Sequence, residues 1–159
     1  MILWTFQSPA ATRSIKAKDR YYASWHYVVS WAIPAYRMMC DELRALRGWD
    51  LKSPPIWTWH KCNNRQTRPG KQFARLLLSE VEKQKGVYLI KLDAPEHCIV
   101  LSSYRIWNQA LDLSLETDTI PKRLLKQMFS KGAISQDDTV QACLPFVERN
   151  WIRQVVRFY

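Results

Sequence analysis

The sequence predicts an α+β fold, a single domain over residues 1–159 with a mixed or antiparallel sheet and several amphipathic helices. Three observations carry this expectation. Short aromatic and β-branched runs alternate irregularly with stretches whose apolar residues recur at helical spacing. A chain of 159 residues with a hydrophobic share of 47% suits one core. No internal repeat, low-complexity segment or composition break divides it.

Ile2–Gln7 reads as the opening strand, with Trp4 and Phe6 on one face and Leu3, Thr5 and Gln7 on the other, ended by Ser8-Pro9. Residues 11–20 read as a surface turn or short helix. Tyr21–Trp31 is aromatic and β-branched and fits helix or extended chain equally. Pro34 suits the first turn of a helix over Ala35–Arg47, where Tyr36, Met39, Cys40, Leu43 and Leu46 form an apolar stripe and Gly48 closes the end.

Two prolines then lead into Ile56-Trp57-Thr58-Trp59, a short strand with both indoles on one face. Gly70–Lys85 reads as one helix with Phe73, Leu76, Leu77 and Val81 inward. Val87–Leu92 and Cys98–Ser102 are strands, and the short link between them predicts a hairpin. Tyr104–Leu113 carries Trp107 and Leu111 inward, and Pro121–Lys131 is a further helix. Thr139–Leu144 and Ile152–Phe158 are the last strands.

The formal net charge is +10. Residues 51–86 hold eight Lys/Arg against two Asp/Glu, whereas residues 87–159 hold nine against eight, so the excess is local. Such a surplus points to nucleic acid or an acidic protein as partner. The longest apolar stretch, Tyr21–Cys40, is interrupted by His26, Pro34 and Arg37, so no membrane span is expected. The start, Met1-Ile2-Leu3-Trp4, has no secretory pattern, and four scattered cysteines form no Cys-x-x-Cys pair. A cytoplasmic protein with reduced thiols is the expectation.

The strongest local signal is the strand Ile56–Trp59 followed by Lys61, Arg65, Arg68, Lys71 and Arg75, with no acidic residue from Ser53 to Ser79. Indoles stack on bases and cations neutralise phosphate, so Trp57, Trp59, Arg65, Arg68, Lys71 and Arg75 are the candidate ligand-binding residues. The competing reading is a core strand followed by a solvated turn. Tyr104 is a further candidate for stacking. No glycine-rich phosphate loop exists; the Gly70 end of the Lys71 helix is the available alternative.

His60-x-Cys62 and His97-Cys98 supply metal-ligand chemistry, but their spacing matches no standard finger, and no metal is expected. A Cys–His nucleophile has the residue types it needs without any spacing that marks it.

The chain resembles a bacterial family known as domain of unknown function 3841. Leu3-Trp4-Thr5-Phe6-Gln7, Ala35–Met39 leading to Arg47-Gly48, Pro55–Trp59 with its basic tail, the pairing of Val87–Leu92 with Ile99–Ser102, and Trp107 with Leu111 carry the resemblance. Val140–Cys143, Val147 and the run Trp151–Phe158 complete it. It departs at Ser103, where the family pattern has Asp, and at Asp112, where it has Asn. This resemblance implies no activity.

The opening strand with Thr5 and Gln7, and the closing Gln141-Ala142, also look like ADP-ribosyltransferase-type domains. That analogy implies weak catalytic candidates Thr5, Gln7 and Gln141 around NAD; Cys143 stands where such enzymes place a glutamate. The leading expectation is a domain that binds nucleic acid or a nucleotide-like anion and needs no cofactor. An ADP-ribosyltransferase-like enzyme and a phage or mobile-element module docking an acidic host protein are the alternatives.

Overall fold

The computed structural model describes residues 1–63, 68–117 and 119–159. Its frame is a six-stranded antiparallel sheet in the order β5-β6-β3-β1-β4-β8. The strands are β1 (Ile2–Gln7), β3 (Ile56–Lys61), β4 (Tyr88–Asp93), β5 (Val100–Ser103), β6 (Val140–Leu144) and β8 (Ile152–Arg157). A small second sheet pairs β2 (Arg20–Tyr21) with β7 (Val147–Glu148).

Trp4 is in register with Trp59 and Lys91, and Trp59 with Gln141, so all four lie on one face. Alternation sends Leu3 and Thr5 to the other face. There Leu3, Ile56, Ile90, Leu92, Ala142 and Leu144 form a core closed by Ile15 and Trp151. Ile15 belongs to α1 (Pro9–Ala17), which starts as Pro9 follows the capping side chain of Ser8.

The first face is covered by helices. α2 (Ile33–Arg47) has Pro34 in its first turn and ends at Gly48, whose φ of 68° is the left-handed cap conformation. It presents Ala35, Met39 and Leu43 to Ile106, Trp107 and Ala110 of α5 (Tyr104–Glu116) and to Leu125 and Met128 of α6 (Lys122–Met128). Ala133 of α7 (Lys131–Gln136) completes that cluster. At 52% exposure, Leu46 leaves the expected stripe.

Three expectations are corrected. Tyr21–Trp31 is neither helix nor strand as a whole: it passes from β2 into two 3-10 turns, Trp25–Tyr27 and Ser30–Ala32. β4 and β5 do not form a hairpin, because β1, β3 and β6 stand between them; their link packs Ala94, Cys98 and Ile99 under the Leu3 face. Nor is Gly70–Lys85 one helix. It is α3 (Lys71–Leu77) and α4 (Glu80–Lys85), broken where Ser79 and Glu82 form a capping box. That break turns Leu76 (82% exposed) and Val81 (57% exposed) outward instead of inward. The result is one compact α+β unit. No helix among the described residues is long and apolar enough to cross a membrane.

Candidate functional site

The register lays one row of side chains across the sheet: Ser102, Gln141, Trp59, Trp4, Lys91 and Gln154, from β5 to β8. α3 lies over the middle of this row. Phe73 meets the Trp59 indole edge-on, with ring centroids 4.8 Å apart at 90°. Tyr104 meets it from α5 at 5.2 Å. Trp4, Trp59, Cys62, Phe73 and Leu89 therefore form a buried aromatic cluster.

Two cations border that cluster. The Arg68 guanidinium lies 5.5 Å from the Trp4 ring centroid and the Lys91 ammonium 5.8 Å from it. The negative face of the indole attracts both. Neither is paired with a carboxylate among the described residues. Lys71 and Arg75 are exposed on α3, four residues apart and so on one side of it. The edge of the cluster thus carries Arg68, Lys91 and an indole whose Nε1 is buried without a partner among the described residues, while Lys71 and Arg75 lie on the side of α3 turned away from Phe73.

The candidate residues named from sequence meet different fates. Arg68 stands at this edge, whereas Lys71 and Arg75 are exposed on the outer side of α3. Arg65 lies outside the described residues. Trp57 and Trp59 share a face, but neither is an open stacking platform. Trp59 is only 6% exposed, sealed by Phe73 and Tyr104. Trp57 packs on Trp107 and donates its Nε1–H to the Tyr36 hydroxyl over 2.9 Å. Trp59 is core because α3 and α5 cover its face, whereas Trp57 is half-buried against α2 and α5.

Tyr104, packed against Trp59, is half-buried as well. Lys91 and Trp4 were missed as site residues, since only strand pairing brings them to Arg68.

Thr5, Gln7 and Gln141 do not converge. Thr5 and Gln7 are joined on the Leu3 face, where Gln7 donates to Thr5 over 2.8 Å. Gln141 lies on the opposite face and is 4% exposed, its Oε1 unpartnered beside Ser102. A single dinucleotide cannot touch all three without passing through the sheet.

The thiols are buried and inert. Burial pushes Cys40 up to about 11 and Cys62 up to about 12, and raises Cys98 and Cys143 as well, so none is an activated nucleophile. Cys62 belongs to the Trp4 cluster and Cys98 to the Leu3 face, so the sheet separates these two thiols. His97 and Cys98 lie in a 3-10 turn, so the strand expected to begin at Cys98 starts instead at Val100. Among the described residues no three metal-ligating side chains come together.

Compared with known proteins, the chain matches no family model, no curated protein and no solved structure. The site must be read from its own chemistry. What that chemistry offers is two cations, Arg68 and Lys91, beside a buried aromatic cluster and unpaired with any carboxylate among the described residues.

Proposed function

We propose that this domain binds nucleic acid in the cytoplasm through the phosphate backbone, using Arg68, Lys91, Lys71 and Arg75. The observation that carries the reading is the convergence of Arg68 and Lys91 on Trp4 with no carboxylate paired to either among the described residues. Packing against the ring limits the freedom of both side chains, so less entropy is lost when a phosphate arrives. Arginine adds a planar fork suited to phosphate oxygens. Four separate free thiols support a reducing compartment. We also propose kinship with the family called domain of unknown function 3841, supported by the segments quoted above, of which Leu3–Gln7 and Ile56–Trp59 lie in adjacent central strands.

The test is fluorescence anisotropy with single-stranded RNA, single-stranded DNA and duplex DNA across a salt series. Each phosphate contact contributes about 0.7 to the log–log salt slope for a single strand and about 0.9 for a duplex. The double variant Arg68→Gln/Lys91→Gln is expected to flatten the slope by roughly 1.4 to 1.8. A slope unchanged by that variant, or no binding at low salt, overturns the proposal.

A further inference from the structure

The six-stranded sheet has two end strands, and they differ. β5 is four residues long, mostly buried, and runs straight into α5. β8 is six residues long and holds no proline. It pairs with β4 alone, and its other edge meets no strand among the described residues. Within it Arg153, Gln154 and Arg157 are exposed and Val155 is half-buried. Alternate residues of an end strand turn their backbone N–H and C=O groups outward, unpaired. An extended chain laid alongside satisfies those groups by adding a further strand.

The side chains decide which chain fits. From Arg149 to Tyr159 the sequence carries three arginines and no aspartate or glutamate. Two of them, Arg153 and Arg157, lie in β8. Val155 packs on the core of the Leu3 face, and alternation places Arg157 on that face too, two residues on. Arg153 stands where the pairing with β4 shifts register, and its guanidinium reaches Asp93 over 3.2 Å. Arg157 has no aspartate or glutamate partner among the described residues; its Nε donates to the Tyr159 backbone oxygen over 3.2 Å.

A second copy of the chain is a poor occupant. Antiparallel pairing centred on Val155 sets Arg153 opposite Arg157 twice over, and like charges directly opposite each other oppose pairing. The net charge of +10 adds to that repulsion. A strand bearing carboxylates turns both effects into attraction.

We propose that the outer edge of β8 docks an extended acidic segment of another protein. The segment pairs through its backbone, with a carboxylate facing Arg157 and an apolar side chain two residues away facing Val155. The inference uses no residue of the phosphate-binding reading and does not rest on it.

The experiment titrates the isotope-labelled protein with a blocked peptide, Thr-Glu-Thr-Val-Thr-Glu-Thr, by NMR and calorimetry. The same peptide with lysine at both glutamates is the charge control. Two further forms, N-methylated at every second residue in either phase, each lose the donors of one strand edge. Shift changes centred on the Val155 and Arg157 amides are expected, with the glutamate peptide bound about tenfold or more tightly than the lysine peptide. Arg157→Glu, at an exposed side chain, is expected to shrink that preference at least about threefold. One methylated form should no longer bind.

Should Arg157→Glu fail to fold, replacing the peptide glutamates by glutamine must weaken binding to the unaltered protein. No binding of the glutamate peptide, or a preference that survives Arg157→Glu, overturns the inference. Equal binding of both methylated forms does so too, because it shows charge attraction without strand pairing. Dimerisation that shields the Val155 amide would give the edge to a second copy, and displacement of the peptide by duplex DNA would assign the arginines to phosphate. Either result also overturns it.

Discussion

Removing the carboxylate of Asp137 should destabilise the whole helical side of the domain, although Asp137 lies in a loop. The side chain is buried beside the start of α5. Its Oδ2 accepts from the Ser103 hydroxyl and from the Arg105 backbone N–H. The Ser103 oxygen in turn caps the helix by accepting from Ile106 N–H over 3.2 Å. Behind this cap stand Ile106, Trp107 and Ala110, which pack directly on α2 and the sheet. A carboxylate thus reaches the cap of α5 from 34 residues away.

Two hydrogen bonds to an ionised group, each worth about 1.5 kcal/mol or more, set the cost of Asp137→Ala at about 3 kcal/mol. For a chain of this length that corresponds to a fall in Tm of roughly 6–12 °C. Asp137→Asn keeps one acceptor oxygen and should cost about half as much. Arg105→Ala removes only the exposed partner of the 3.4 Å ion pair and should cost under about 1 kcal/mol. Lys61 is unaffected throughout, because its Nζ donates to the Asp137 backbone carbonyl. Urea and thermal melts followed by tryptophan fluorescence read all three. If Asp137→Ala melts within about 2 °C of the unaltered protein, the carboxylate does not hold the cap and the reasoning is wrong.

Two further predictions concern stability. His60 is held below its ordinary value, first by burial and then by the N-terminal ammonium and Lys61. The folded state therefore disfavours its charged form, so stability is complete above about pH 6.5 and declines as pH falls toward the folded value. The urea midpoint should drop between about pH 7 and 5.5, and His60→Gln should flatten that drop while His97→Gln, at an exposed turn, should not. On α3, Phe73→Ala should cost about 3 kcal/mol or more, since its ring seals Trp59, whereas Leu76→Ala should stay within about 0.5 kcal/mol. Equal losses in urea melts of these two variants would place the break between α3 and α4 elsewhere.

Local signals announced most of the elements, and non-local pairing defeated the rest. The proline at the head of α2, the glycine at its end and the aromatic run of β3 each act within a few residues, so they were legible. The supposed hairpin of β4 and β5 was inferred from their short separation. A close link says nothing about which strands intervene, and here β1 and β8 take the two edges of β4 while β6 pairs with β5. In Gly70–Lys85 the apolar spacing argued for a continuous helix while Ser79-x-x-Glu82 argued for a new start. The capping box won because it satisfies amide groups at the start of α4, whereas Leu76 and Val81 had no core within reach.

The candidate site divides along the same line. Arg68, Lys71 and Arg75 lie close together in sequence, so they were visible as a tract free of acidic residues. Trp57 and Trp59 were visible too, but a strand pattern shows which residues share a face and not whether helices will cover it, as α3 and α5 cover Trp59. Lys91 sits in an ordinary strand 23 residues past Arg68, and nothing local marks it. It becomes part of the site only when β4 pairs with β1 and sets its ammonium beside the Trp4 ring. In this chain the residues whose chemistry is sharpest are those that the sheet, and not the motif, brings together.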